Sequence, residues 1–433
     1  MRAQLKMTLG MLVVLSLVTA TTVAQEFNPF GDTALHEAAK TNNLSLVQEL
    51  VEQGAVVDAR NMHGVTPLML ATRRNSNPRL VQFLLDNGAE INARDNSGGI
   101  TPLMYSVMRY PNLQVVELLL ARGAKIETRC DRGGTAFLLA AGHCPRIEVL
   151  QLLLAKGARI NETCHIGTTP LMFAAQHSYR PEIVQLLLDK GAKVQASNDI
   201  DMTPLHYAAG RSAKPQIVQM LLDRGAKVEV KNNSGWTPLM YTASRSSKPQ
   251  IVQMLIDKGA DIEATSHDGS TPLMHAAKHS KTPAIVQALL DQGAHIEARD
   301  HQGWTSLMGA ARRSSIPMIL QLLIEAGADI EARDYDGRTP LMVTATFSTN
   351  LKILQSLLDQ GADIEATDQR GMTPLMYAAE NSYSPQIVQS LLDNGANPLA
   401  TCSDGKKASD YAKKNKKLVG TKAYQRLLEK SKE

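Results

Sequence analysis

Two kinds of apolar stripe alternate along the chain. In the stretch from Trp236 to Ser270, Leu239, Met240 and Ala243 fall on one side of a short helix. Ile251, Val252, Leu255 and Ile256 follow at helical spacing and predict a second helix with its own buried stripe. Thr237 suits a helix N-cap and Pro238 the first helical position. Ser246, Ser247 and Lys248 break the first helix, and Pro249 opens the second. Gly259 is placed to end it. Ala260 to His267 reads as extended chain, and Asp268-Gly269 as a turn. The predicted unit is helix, turn, helix and hairpin-like loop. One such unit cannot bury its apolar face, but a stack of them can.

The unit repeats. The string Thr-Pro-Leu-Met or a near variant recurs with its Thr at 33, 66, 101, 135, 169, 203, 237, 271, 305, 339 and 373. The first two spacings are 33 and 35, and every later one is 34. Eleven units result, followed by a degenerate one from Lys407. A period of this kind marks a repeat array, so the 433 residues need no single large core. Aromatic residues make up only 4%, which leaves Leu, Ile, Val, Ala and Met to build the interior.

The run Thr203-Pro204-Leu205-His206-Tyr207-Ala208-Ala209, with Ile217-Val218, Leu221-Leu222 and Gly225-Ala226 behind it, resembles the ankyrin repeat. The likeness covers about residues 31 to 412 and holds in every unit. It implies an all-α repeat solenoid of stacked helix-turn-helix ankyrin repeats with hairpin-like loops. Two departures stand out. Met replaces His after the Leu in most units, with only His36 and His206 keeping it. The turn between the helices is one residue longer than usual and often carries Pro at a fixed place, as at Pro78, Pro181, Pro215, Pro249, Pro283, Pro317 and Pro385.

The ends differ from the array. Arg2 and Lys6 precede an uncharged apolar run from Leu9 to Ala20, and small residues offer cleavage after Ala20 or Ala24. This is the pattern of a secretory signal peptide, with an uncleaved anchor as the alternative. The expected division is residues 1–24 signal segment, 25–406 ankyrin array, and 407–433 capping repeat with a Lys-rich tail. The signal segment and the extended turns place the chain, by resemblance, among secreted or periplasmic bacterial proteins.

Chemistry is sparse. The chain has no Gly-rich phosphate loop after a strand, no Gly-x-Ser-x-Gly elbow, no Cys-x-x-Cys and no His-Glu-x-x-His. No catalytic site, cofactor, metal or small-molecule substrate is expected. His275 and His279 have a spacing a metal could use, but they fall in slots that vary freely among units. Cys130, Cys164 and Cys402 each stand five residues before a unit's opening position, and Cys144 ends a first helix. Neighbouring units stack too far apart for an easy bridge, so free thiols are expected. Glu263, Glu297, Glu331 and Glu365 recur on the extended stretch and are expected to face solvent.

Binding is the remaining possibility. By resemblance, partners of ankyrin arrays engage a groove formed by the loop tips and the first helices. Seven and eight residues after each Thr lie 22 positions, of which nine are Lys or Arg: 40, 73, 74, 109, 211, 245, 278, 312 and 313. The overall frequency of 46 in 433 predicts about two. Only Glu380 is acidic there. Cations also complement the helix dipole at a C-terminus, which accounts for some of the excess but not for the doubled Arg312-Arg313. Four residues after the Thr, a second slot holds Tyr105, Phe173, Tyr207, Tyr241, His275 and Tyr377, either as part of the binding face or as packing between helices. The loop tips add Trp236, Trp304, Tyr335 and Arg338. Trp, Tyr and Arg are the usual anchors of an interface, each Trp contributing about 2 kcal/mol or more when it acts as one. The expected partner site therefore comprises Trp236, Trp304, Tyr335, Arg338, Tyr207, Tyr241, Arg211, Arg245, Lys278, Arg312 and Arg313. The expected partner is a protein with an acidic surface. The alternative is a polyanion: a cell-wall polymer, an acidic glycan or nucleic acid.

Overall fold

A computed structural model describes residues 30–432, apart from 74–75, 109–110, 178–179 and 212–213 and the side chain of Arg211. The expected signal segment lies outside the described residues. The described residues form twenty-four helices and no strand. The chain divides into two compact units, residues 1–199 and 200–433. Within each, helix pairs stack in a row as an all-α repeat solenoid.

Local chemistry explains each helix pair. In the repeat from Thr237, the Thr hydroxyl accepts the Met240 amide and Pro238 starts a helix that runs Pro238–Arg245. The second helix runs Gln250–Asp257. Elsewhere the Pro is itself the first residue, as in Pro283–Asp291, and the residue before it is held extended, as a residue before Pro must be. The extra residue of the inter-helix turn brings in a serine that closes it. Ser280 accepts the Thr282 amide at 3.1 Å and donates to the Thr282 carbonyl, and Ser314 and Ser382 do the same. Cys144 fills this slot in its own repeat, its sulfur accepting the Arg146 amide at 3.4 Å and donating to the Arg146 carbonyl. Burial raises its thiol pKa to about 11, so it acts as an inert packing group.

Small residues set the stacking distance. Ala208, Ala209, Ala243, Ala276, Ala277, Ala310 and Ala311 are all buried where successive first helices meet. Small side chains here permit helix separations at the close end of about 8–10 Å. Leu205, Leu239, Leu273, Leu307, Leu341 and Leu375 plug the layer beneath, with at most 1% exposure. The second helices close the other side with pairs such as Ile251-Val252 and Ile285-Val286.

The loops carry the register. His267 N–H donates to the Ser234 carbonyl of the preceding loop at 3.2 Å, and Asn96 to His63 O, His301 to Asp268 O and Ser403 to Arg370 O do the same. Each loop thus adds one backbone bond to its neighbour. The close approach favours glycine at most tips: at Gly235, φ +75°, a Cβ would lie 2.7 Å from the His267 nitrogen, whereas Asp201 fills the slot at φ +56°.

The recurring glutamates are not simply solvated. Glu263 accepts the His295 amide at 2.7 Å, Glu297 the Asp329 amide, Glu331 the Asp363 amide and Glu365 the Asn397 amide. Each carboxylate caps the next repeat's loop, and each is half-buried. The expectation of a solvent-facing role is corrected. Three-dimensional stacking brings an amide 32 residues away onto each side chain, and spacing within one repeat cannot show it.

The Met-for-His substitution also gains a physical account. The buried Nδ1 of His206 accepts the Thr203 amide at 3.1 Å, and its Nε2 donates to the Trp236 carbonyl of the next repeat at 3.0 Å. His36 repeats this with Thr33 and Val65. In some Met repeats the sulfur replaces Nδ1, accepting the Thr amide at 3.4 Å in Met69 and Met274 and at 3.5 Å in Met172. There Met keeps the local bond and gives up the one between repeats.

Burial lowers the pKa of His206 and of His275 to about 4. The unfolded chain binds a proton at each near pH 6.5, so the stability they contribute is present above 6.5 and is lost as pH falls toward 4. The second unit is expected to lose on the order of 2 kcal/mol per histidine by pH 4. Both tryptophans lie in that unit, so urea unfolding followed by indole fluorescence reports on it alone. His206→Met with His275→Tyr, residues that other repeats use in these slots, should flatten the dependence; an unchanged slope would reject the assignment.

Candidate functional site

The first-helix ends and loop tips of the second unit bring most of the predicted residues onto one face. The aromatic slot is chiefly a strut. Tyr377 O–H donates to the Asp368 carboxylate at 2.6 Å, and Tyr105 does the same to Asp95. Tyr241 O–H accepts from Asn232 at 3.0 Å, and His275 Nε2 meets Ser266 Oγ at 3.1 Å. Each of these rings thus ties a first helix to its own loop, and Tyr241 also packs on the preceding first helix, 5.5 Å from His206, as the helix-packing role weighed from sequence expects. Burial, then the Asp368 bond, raises the Tyr377 pKa to about 12. Cys402 stands in the slot of Asp368 and Asn232, and its sulfur meets Tyr411 O–H at 3.2 Å. Cys130 and Cys164 share that slot, where the ring position holds the non-polar Leu139 and Phe173. All four cysteines are free thiols.

The two tryptophans differ. Trp236 is half-buried, its ring 4.1 Å from that of His275 and 5.2 Å from that of Tyr241. Trp304 is 5% exposed. The guanidinium of Arg312 lies over its ring at 5.2 Å and that of Arg338 at 5.9 Å, with Phe347 6.4 Å away. The expectation of Trp304 as a surface anchor is corrected: Arg312 of its own repeat and Arg338 and Phe347 of the next cover it. Its indole N–H is buried with no hydrogen-bond partner in the structure. Tyr335, by contrast, is 63% exposed at its tip. Arg338 is bound by Asp334 at 2.8 Å and Asp336 at 3.1 Å.

The basic residues crowd one another. Arg245 is exposed and lies 5.2 Å over Tyr241. Lys278 and Arg312 are half-buried, and Arg313 is exposed. Burial depresses the Lys278 pKa, and Arg312 and Arg313 lower it further against the pull of Asp268. His279 is depressed by burial and then by Lys278, Arg313 and Arg245. Arg312 is depressed by burial, Arg313 and Arg338. Among the described residues none of Arg245, Lys278, Arg312 and Arg313 forms an ion pair. Helix-end dipoles would favour one cation per repeat. Here successive repeats place cations close enough to repel.

Of the other predicted residues, Tyr207 is half-buried in its strut slot. The side chain of Arg211, and Arg74 and Arg109, lie outside the described residues. In the first unit Arg73 stands 5.9 Å over Tyr105, and Lys40 pairs with Glu37 at 3.1 Å. Sequence reasoning missed Phe347, Arg370 and Tyr383. They line a cavity of about 630 Å³ beside the basic cluster, with Tyr377, Arg338 and Glu380. Phe347 falls in the slot eight residues after Thr339 that was counted for charge, where a neutral ring drew no notice, and Arg370 and Tyr383 fall in slots that vary among repeats.

The model for ankyrin repeats in three copies matches seven overlapping windows from residues 10–95 to 307–402. The chain belongs to the ankyrin-repeat family. It is 40% identical over 68 residues to the E3 ubiquitin-protein ligase KEG of Arabidopsis thaliana, covering 16% of this chain and 4% of that protein. It is 36% identical over 72 residues to a putative ankyrin repeat protein of Rickettsia bellii, covering 16% and 40%. It is 37% identical over 71 residues to human protein phosphatase 1 regulatory subunit 27, covering 16% and 46%. The chain therefore spans less than half the length of each of these relatives. Ankyrin repeats indicate a protein–protein interaction scaffold, and the family is generally non-catalytic.

The two tryptophans are expected to respond unequally to truncation. Trp304→Ala should destabilise the second unit by about 3 kcal/mol, since it empties a buried site. Trp236→Ala should cost clearly less. Urea denaturation followed by the remaining tryptophan checks both, and equal losses would contradict the difference in burial.

Proposed function

We propose that the second unit binds an acidic segment of a protein partner across the first-helix ends of the repeats beginning at Thr237, Thr271 and Thr305. One observation carries this reading: Arg245, Lys278, Arg312 and Arg313 crowd together without ion pairs. Lys278 and Arg312 are half-buried and Arg313 adds to their repulsion, which a bound anion would relieve. A row of carboxylates would do so. Trp236, backed by His275, and the exposed ring of Tyr335 supply apolar contact at the rim.

The N-terminal pattern of Arg2, Lys6 and the apolar run Leu9 to Ala20 supports placing this binding outside the cytoplasm, in the periplasm or beyond. Residues 407–433 serve as the terminal cap in this reading. Their last helix, Lys422–Lys430, buries Ala423 and Leu427 and leaves the polar Lys422, Gln425 and Glu429 exposed.

The test uses a synthetic peptide of alternating glutamate and leucine, with heparin as a plain polyanion, each titrated at low and moderate salt. The peptide is expected to bind and to weaken about tenfold on replacing Arg312 and Arg313 with glutamate. Undiminished affinity in that variant would overturn the site. Tight heparin binding with a steep salt slope, and no peptide binding, would replace the protein partner with a polyanion.

A further inference from the structure

Beside the basic cluster, on the far side of Phe347, the surface reverses character. The cavity of about 630 Å³ lies between the first helices Pro340–Phe347 and Pro374–Asn381. Both arginines on its wall are already matched. Arg338 is held by Asp334 at 2.8 Å and Asp336 at 3.1 Å, and Arg370 by Asp368 at 3.5 Å and by Tyr377 O–H at 3.2 Å. Glu380 is not matched: among the described residues it forms no ion pair, and its hydrogen bond comes from the neutral Asn381 amide at 2.9 Å. It is also the lone acid in a helix-end slot that elsewhere favours Lys and Arg.

The aromatic walls point the same way. Phe347 already carries Arg312 at 4.6 Å, Tyr377 carries Arg370 at 5.9 Å and Tyr383 carries Lys417 at 5.2 Å. Ring faces with a negative quadrupole draw cations in this part of the molecule. Tyr383 is 62% exposed and so open to an incoming group. The volume is within the range of side-chain and small-ligand pockets, about 300–1,000 Å³.

We infer that this cavity receives a cationic side chain, arginine or lysine, from the bound partner, seated against Phe347 and Tyr383 with its charge on Glu380. A carboxylate would be repelled by Glu380 and would have to compete with the aspartates that hold both arginines. The inference rests on the partner-binding reading for what carries the cation. It implies a partner segment of mixed charge, acidic over Arg312 and Arg313 and basic one repeat further on.

The experiment uses the full chain with fluorine-labelled phenylalanine and the Phe347 resonance, assigned through Phe347→Leu. The probes are Nα-acetyl-arginine amide, its lysine counterpart and Nα-acetyl-glutamate amide. The arginine and lysine probes are expected to shift the Phe347 signal at millimolar concentration. The shift should weaken at least fivefold in Glu380→Gln, which is isosteric, and in Tyr383→Ala, an exposed position. It should persist when Arg245 and Arg313, the two exposed members of the basic row, are replaced by glutamate with Arg312 left on the Phe347 ring, so failure of the acidic-partner site and failure of the cavity are separable. A preference for the glutamate probe, no response to the cationic probes, or a response that Glu380→Gln leaves unchanged would overturn the assignment.

Discussion

The contact between successive loops is the constraint on which the rest depends. An amide such as that of His267 must reach the carbonyl of Ser234, and a carboxylate such as Glu263 must reach the amide of His295. These bonds fix the offset between neighbours at one repeat length. Once it is fixed, a residue at a given slot faces the same slot of the next repeat, and any side-chain type placed twice becomes a row. The glycine at most tips is part of this constraint, because loops such as that of Gly235 approach to a distance that crowds a Cβ, while Asp201 fills the slot in one repeat at φ +56°.

Within that frame, most unusual residues are solutions to a slot. Cys144 does the work of serine in the inter-helix turn. Cys402 does the work of aspartate or asparagine beneath an aromatic strut. Methionine takes over half of the work of histidine at the start of the first helix. His206, which keeps both bonds, couples two repeats and brings a burial-driven acid sensitivity with it. Such residues look like chemistry when read singly and like architecture when read in stack.

The basic helix ends resist that explanation. Burial and the neighbouring arginines depress Lys278 against the pull of Asp268, burial, Arg313 and Arg338 depress Arg312, and among the described residues neither forms an ion pair. Arg312 is the hinge of the arrangement: it covers Trp304, stacks on Phe347 and belongs to the cationic row. Beyond Phe347 the balance of charge passes to Glu380. A surface that changes sign within one repeat has a direction, and a bound segment would be read in one orientation only.

Sequence alone determined the repeat, its helix pair and its N-caps, because those follow from spacing, proline and threonine chemistry within about ten residues. It also located the basic row, since slots can be counted. It misjudged Trp304, whose place just before Thr305 is that of an exposed tip but whose ring is covered by Arg312, Arg338 and Phe347. It took the recurring glutamates for a solvated face when each caps an amide 32 residues on. It gave no sign of the cavity, whose walls come from variable slots of different repeats. The physical reason is the same in each case. Periodicity shows which positions share a slot, but what a side chain touches depends on neighbours about 34 residues away, and only the stacked structure brings those together.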